Sequence, residues 1–123
     1  GLRWIDMNVE DLRYYCLSLP RVEERMPFGD DTLCFCIAGK MFLLIALDCS
    51  DFVNMKCDSD RAVELRESYV GISPGWHMNK RHWNSVYFRS DVGDDLFLEL
   101  VRHSYNCVIA SLPKRMRSEY EML

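Results

Sequence analysis

Residues 32–47 read Thr-Leu-Cys-Phe-Cys-Ile-Ala-Gly-Lys-Met-Phe-Leu-Leu-Ile-Ala-Leu, and no other segment constrains the architecture as strongly. In residues 32–37 large apolar side chains alternate with smaller or polar ones, which is the pattern of a strand with one buried face. Ala-Gly-Lys at 38–40 predicts a turn, and the apolar run at 41–47 is typical of a more buried strand. The segment therefore predicts a β-hairpin, and hairpin connections favour an antiparallel sheet.

Strand patterns continue on the C-terminal side of this hairpin. Residues 52–57 alternate between two faces, which predicts a third strand. Residues 82–88 also have a strand pattern, and a shorter strand is predicted before them, near residues 76–79. By contrast, residues 21–31 are charged and interrupted by Pro27 and Gly29, so we expect a loop there.

Three segments carry helix signals, with apolar side chains at helical spacing after a capping residue. The second helix is expected to run to about residue 68, and residues 115–123 are expected to form a tail that frays. The boundary signals are Asn8 and Pro20 for the first helix, Asp58 or Ser59 for the second, and Ser90 or Asp91 and Pro113 for the third.

The predicted order is α-β-β-β-α-β-β-α. It describes a two-layer α+β domain in which three helices cover one face of an antiparallel five-stranded sheet. The length of 123 residues indicates one domain spanning residues 1–123. Residues 1–6 are interpreted as an added tag or a disordered start, with Met7 as the native start.

The composition is that of a globular domain, with 49% hydrophobic and 28% charged residues. The longest apolar run, residues 41–47, falls far short of the ~18 residues that a membrane span requires. The N-terminus lacks a basic flank followed by an apolar core, which is the pattern of a secretory signal. We therefore expect a cytoplasmic protein that does not associate with membranes.

Six cysteines raise the question of disulfides or zinc. The chain has no Cys-x-x-Cys pair, and a strand would point Cys34 and Cys36 to the same face. Without a visible secretory signal, we favour reduced thiols that act as small core residues.

A basic, aromatic segment stands out in this acidic chain. Residues 74–86 read Pro-Gly-Trp-His-Met-Asn-Lys-Arg-His-Trp-Asn-Ser-Val and hold two of the three Trp, two of the three His and no acid. Extended to Arg89, the segment has a formal charge of +3 against −4 for the whole chain, so the remainder carries −7. Such a segment is a candidate binding surface presented on a loop.

Several motifs resemble the MmcQ/YjbR-like family. They are Met26-Pro27-Phe28-Gly29 with Gly39-Lys40-Met41-Phe42, then Asn54-Met55-Lys56-Cys57-Asp58, and then residues 74–84 with the Met-Asn-Lys-x-His-Trp-Asn core. Ser104-Tyr105 with Leu112-Pro113-Lys114 also fits the family. The resemblance runs from about Met7 to Lys114. It implies a small cytoplasmic bacterial domain, similar to frataxin-like and type III secretion chaperone-like folds, and DNA binding through two loops. Cys36 departs from the family, since a basic residue is more usual there.

DNA is the leading partner in this interpretation. Lys80 and Arg81 neutralise phosphates, while His77, Asn79 and Asn84 orient the contact. The full set expected to contact DNA is Lys56, His77, Asn79, Lys80, Arg81, His82, Asn84 and Arg89. The residues expected to shape the loop are Pro74, Gly75, Trp76 and Trp83, with Gly75 supplying a positive φ angle.

Two observations oppose this interpretation. The sequence pI is near 5.3, whereas nucleic-acid-binding surfaces are commonly basic. Asp91, Asp94 and Asp95 follow closely in sequence and would cancel the positive field if they lay beside it. The Trp and Asn residues are equally consistent with a folding role, in which Lys80 and Arg81 form only a solvated tip.

Catalytic and metal sites are not favoured. His103 and Cys107 are four residues apart on a predicted helix and are close enough to touch, but no third group orients them. His77 and His82 have no known ligand spacing. The carboxylates Asp94, Asp95 and Glu99 are more simply a favourable helix start. We therefore predict a protein that is not an enzyme and has no cofactor.

The alternative function is a protein-interaction or chaperone-like adaptor module. A two-layer domain leaves one sheet face for a partner unless loops cover it. The side chains available for such a face are Tyr14, Tyr15, Trp76, Tyr87 and several Met.

Overall fold

The computed structural model describes residues 7–49 and 51–123, and within them the chain forms six strands and four helices. The elements are α1 Val9–Ser18, β1 Glu23–Arg25, β2 Thr32–Ile37, β3 Lys40–Ala46, β4 Phe52–Lys56, α2 Ser59–Ser68, β5 Ile72–Pro74, β6 Trp83–Tyr87, α3 Asp94–Ser111 and α4 Lys114–Arg117.

All six strands join one antiparallel sheet in the order β1-β2-β3-β4-β6-β5. The predicted hairpin is confirmed as β2 and β3, which pair Cys34 with Leu44 and have an irregularity in register between Phe35 and Cys36. The fold class is therefore α+β with an antiparallel sheet, as expected. The predicted count of five strands and three helices is wrong.

The extra strand, β1, lies in the segment predicted to be a loop. Its three residues, Glu-Glu-Arg, pair with β2 at the edge of the sheet. An edge strand needs only backbone hydrogen bonds on one side and has no requirement for apolar side chains. The short strand before β6 was expected near residues 76–79. It is found earlier in the chain, as β5 at Ile72–Pro74.

α3 begins later than expected and ends as Pro113 predicts, with Ser111 its last residue and Leu112 its C-cap. The helix begins at Asp94 after the N-cap Gly93, because the side chains of Ser90 and Asp91 hold turns instead.

The tail at residues 115–123 was expected to fray. Its first residues instead belong to α4, and the residues after α4 contact the segment that follows α1. Arg21 donates to Glu119 O at 2.9 Å and lies 4.3 Å from the centroid of the Tyr120 ring. The interpretation of residues 1–6 lies outside the described residues.

The main core lies between the helices and one face of the sheet. α3 packs on β2, β3 and β4, while α2 packs on β5 and β6. The rings of Phe42 and Tyr105 meet edge to face at 5.8 Å, and the Tyr105 hydroxyl donates to Pro20 O at 2.7 Å. These contacts join the sheet, α3 and the end of α1 into one apolar layer.

The six cysteines carry free thiols. The expectation that they act as core residues is confirmed for four of them and wrong for Cys49, which is exposed, while Cys107 is half-buried. The buried thiols are Cys16, Cys34, Cys36 and Cys57.

The opposite face of the sheet carries a smaller cluster of Cys34, Cys36, Leu44 and Trp83. Met78 packs against this cluster from residues 75–82, the connection between β5 and β6. We call residues 75–82 the crossing loop, because they fold back over the face of the sheet opposite the main core.

Candidate functional site

The crossing loop is fixed to the middle of the sheet by a closed set of three hydrogen bonds. Trp76 N–H donates to Ser85 Oγ at 3.0 Å, Ser85 Oγ donates to Asn54 Oδ1 at 2.6 Å, and Asn54 Nδ2 donates to Trp76 O at 3.1 Å. Asn54 and Ser85 face each other on β4 and β6 and are both buried. The Trp76 backbone is therefore held in place, although its side chain is not buried.

Gly75 is required for a reason other than the predicted one. Its φ angle is not positive; the loop has its positive φ at His77 instead, at 58°. A Cβ on residue 75 would lie 2.7 Å from Trp83 Cβ and 3.0 Å from Trp83 O. Glycine is needed because the two strands approach so closely that no side chain fits between them.

Asn84, one of the residues expected to contact DNA, is only 1% exposed. Its Oδ1 accepts a hydrogen bond from Arg66 Nε at 2.7 Å, and Arg66 also donates to Lys80 O. Asn84 therefore anchors α2 to β6, while Arg66 joins α2 to the crossing loop, and a side chain as buried as Asn84 is inconsistent with direct contact to a ligand. Sequence analysis missed Arg66, because an arginine in the last turn of a polar helix has the pattern of a solvated residue.

The two cations at the tip of the crossing loop are not neutralised by acids. Lys80 Nζ donates to Gly75 O at 2.9 Å, and Asn79 Oδ1 accepts from Arg81 N–H at 2.9 Å. Neither Lys80 nor Arg81 forms an ion pair within residues 7–49 and 51–123.

Asp91, one of the acids expected near these cations, is engaged elsewhere. Its carboxylate accepts from the Gly71 and Val70 N–H groups at 2.8 and 2.9 Å. These bonds hold the pKa of Asp91 below its usual range, Gly71 contributing most.

The residues expected to contact DNA do not form one continuous surface. Trp83 pairs with Lys56 across β4 and β6, so Lys56 and His82 lie at the same end of the sheet as the loop tip. Arg89 lies beyond the other end of β6, a strand that spans roughly 13 Å at 3.3 Å per residue. It lines a separate cavity together with Glu10 of α1.

A groove of about 330 Å³ lies on the same sheet face, between the crossing loop and the loop before β2. Phe28 and Trp76, on these two loops, are 60% and 56% exposed. The Trp76 ring meets Phe52 edge to face at 6.0 Å and contacts His77 at 4.0 Å. The remaining large apolar side chains of the lining are Leu44 and Met78.

Phe28 is the second residue of this site that sequence analysis did not select. The signal that could have identified Phe28 was the motif at residues 26–29, which is one of those that carry the family resemblance. The loop pattern around it, with Pro27 and Gly29, gave no indication that it faces Trp76.

The predicted contact between His103 and Cys107 is confirmed, with Nε2 and Sγ 3.4 Å apart. Burial lowers the pKa of His103 and raises that of Cys107, so both groups are neutral near pH 7. His103 Nε2 also accepts from Asp58 N–H at 3.2 Å. A neutral thiol beside a neutral imidazole is not an activated nucleophile.

Of the acids considered for metal binding, Glu99 is held in an ion pair by an arginine. Arg61 pairs with both oxygens of Glu99 and lowers the pKa of its carboxyl. Within the described part of the chain, no group of His, Cys, Asp and Glu is arranged to hold a metal ion. Among those residues there is also no helix of the length and hydrophobicity needed to span a bilayer.

The fold and the site together define a class: a small α+β domain with helices on one face of an antiparallel sheet and a loop-bordered groove on the other. The family model YjbR matches residues 17–107, and the chain belongs to the YjbR family. The resemblance inferred from its motifs is thereby confirmed.

Relatives of known sequence and structure agree with this assignment. The Escherichia coli O157:H7 protein YbdF, described as uncharacterized, is 38% identical over 107 residues, covering 86% of this chain and 88% of YbdF. YjbR of E. coli K12, also uncharacterized, is 25% identical over 90% of this chain and 95% of its own. The crystal structure of Deinococcus radiodurans DR2400 is similar with a TM-score of 0.86 and 34% identity, covering 96% of this chain and 91% of that one.

Proposed function

We propose that this YjbR-family protein is a non-enzymatic, cytoplasmic binding protein that recognises a segment of a protein partner in the groove between Phe28 and Trp76. The observation that carries the proposal is the exposure of these two large side chains, 60% and 56%, on opposite sides of one groove. Aromatic and Met side chains in a concave site are typical of interaction surfaces.

The groove is also preorganised. The backbone of Trp76 is fixed by Ser85 and Asn54, so one wall of the groove is already in place before a ligand arrives. A preformed wall reduces the entropy lost on binding, since fewer groups must be ordered. This supports a recognition role for Trp76 beyond packing.

The experiment is a comparison of two single-site variants on an array of ten-residue peptides of mixed sequence. Phe28→Ser removes one wall of the groove, and Tyr14→Ser is the matched control, because Tyr14 is 81% exposed on α1 in the helical layer. We expect the Phe28 variant to lose at least fivefold of the signal on peptides that the wild type binds, and the Tyr14 variant to retain it. Absence of binding by the wild type, or equal binding by both variants, contradicts the proposal.

A second candidate function, DNA binding, is favoured by one specific observation. Lys80 and Arg81 lie beside Lys56 and His82 without a carboxylate partner among the described residues. Four phosphate contacts of this kind give modest affinity that falls steeply with salt. Lys80 is a poor residue for this test, because its side chain donates to Gly75 O. Replacing Lys80 would remove that hydrogen bond and disturb the loop as well as the charge.

Arg81→Gln is therefore the informative variant for DNA, with the exposed Arg115→Gln on α4 as its control. Fluorescence polarisation on a 20-base-pair duplex is expected to give weaker binding for the first and unchanged binding for the second. If the wild type does not bind at 20 mM salt, or if both variants bind alike, the DNA candidate is rejected.

A further inference from the structure

The groove opens at the end of the sheet where two acidic loops meet. The loop that carries Phe28 runs into β2, and the β3–β4 connection lies beside it, since Leu47 N–H donates to Asp31 O at 2.7 Å. The four carboxylates of these loops, which we call the acidic rim, belong to Asp30, Asp31, Asp48 and Asp51. None of the four forms an ion pair with a residue that the structure describes.

The cations of the crossing loop do not line this opening. In the described part of the chain, the lining of the groove includes His77 but no Lys or Arg. The cations Lys80 and Arg81 lie toward the start of β6, at the opposite end of the sheet from the β3–β4 connection. Arg89 lines the cavity near Glu10 instead. The charged residues of the two loops at this opening are therefore all acidic, which favours a cationic ligand there over nucleic acid.

The aromatic walls favour the same charge. Tryptophan and phenylalanine rings attract cations through their π-faces, and tryptophan does so most strongly. Arg and Lys side chains also have apolar stems that pack on aromatic rings while the charged head reaches a carboxylate. The volume of about 330 Å³ accommodates one such side chain and part of the backbone on either side of it.

We propose that the groove binds a basic segment of a protein partner, with an Arg or Lys stem between Trp76 and Phe28 and its charged head toward the acidic rim. This inference rests on the proposed function and adds the charge of the partner. The acidic rim steers the segment to the groove, and the aromatic walls hold it there.

The experiment uses two pools of ten-residue peptides that differ at one fixed central position, which is Arg in one pool and its neutral isostere citrulline in the other. The remaining positions are randomised among Gly, Ser, Thr, Val, Leu and Phe. Labelled protein is bound to each pool at 50 and 300 mM salt. The variant Asp30→Asn/Asp48→Asn removes two rim charges, and Glu64→Gln/Glu67→Gln removes two exposed charges from α2 as the control.

We expect the wild type to bind the Arg pool at least fivefold better than the citrulline pool at 50 mM salt, with the difference reduced at 300 mM. The rim variant loses at least threefold on the Arg pool, and the α2 variant does not. Equal binding to both pools, with both weakened by Phe28→Ser, overturns the charge assignment but leaves the proposed function standing. No binding to either pool, or binding that Phe28→Ser leaves unchanged, overturns both.

Discussion

Gly75 and Trp83 approach so closely that a Cβ on residue 75 would lie 2.7 Å from Trp83 Cβ. The same pair is joined by a hydrogen bond from Gly75 N–H to Trp83 O at 2.9 Å. This contact closes the base of the crossing loop, and the network around Trp76 then places the loop over the sheet. The position of the groove wall thus depends on a glycine that is not itself part of the groove lining.

Gly75→Ala is expected to destabilise the protein by about 1–3 kcal/mol, because the added methyl group meets backbone and Cβ atoms that cannot move away. Gly93→Ala is the control, since a Cβ there has no neighbour within 4 Å, and its expected cost is only that of a weaker N-cap for α3, below about 1 kcal/mol. Urea denaturation of both variants measures the difference. Equal free energies of unfolding would show that the close approach is not a constraint.

Ser85→Ala is expected to cost about 1–3 kcal/mol, because it leaves the buried Asn54 Oδ1 and the Trp76 N–H without their partner. The loosened loop should also increase acrylamide quenching of Trp76 fluorescence. Ser73→Ala, on the neighbouring strand β5, is the control and should change neither quantity. Unaltered quenching in the Ser85 variant would mean that the network does not hold the loop.

The stability of the protein is expected to fall as the pH drops below about 7, in part through His103. Burial lowers the folded pKa of His103 below its ordinary value of 6.5, so the unfolded chain binds a proton first as the pH falls. The contribution of this group is present above pH 6.5 and is lost as the pH falls through the folded pKa. His103→Gln should flatten the dependence in urea denaturation. A parallel decline in the variant would assign the effect to other groups.

One thiol is expected to react rapidly with an aromatic disulfide reagent, and Cys49→Ser should abolish this phase. Cys49 is exposed, whereas burial raises the pKa of Cys34 to about 11 and that of Cys57 to about 12. Thiolate is the reactive form, so the buried thiols should react only when the protein opens. A second fast thiol in the native state would contradict the packing of these residues.

The sequence predicted those parts of the fold that depend on local pattern. The β2–β3 hairpin was predictable because alternation and a Gly-containing turn specify a strand pair locally. The strand β1 was not, because it pairs at the sheet edge through its backbone and its residues Glu23–Arg25 carry no apolar pattern. The family resemblance singled out the crossing loop as a segment with a specific motif. It did not predict which residues this loop contacts.

The candidate site was only partly predictable, because it depends on contacts between distant segments. Trp76 and Lys80 stood out by composition, and both lie on the crossing loop. Trp76 borders the groove, and Lys80 lies at the tip of the loop. The role of Asn84 depends on Arg66, and the groove exists because the Phe28 loop and the crossing loop meet over the sheet. Neither relationship leaves a periodic pattern in the sequence.

The most direct test of the groove as a binding site is chemical-shift mapping of ¹⁵N-labelled protein during titration with the Arg peptide pool. We predict that the shifts concentrate on Phe28, Leu44, Met78 and the indole N–H of Trp76. Shifts centred instead on Lys80 and Arg81, or no shifts at millimolar peptide, would contradict the account.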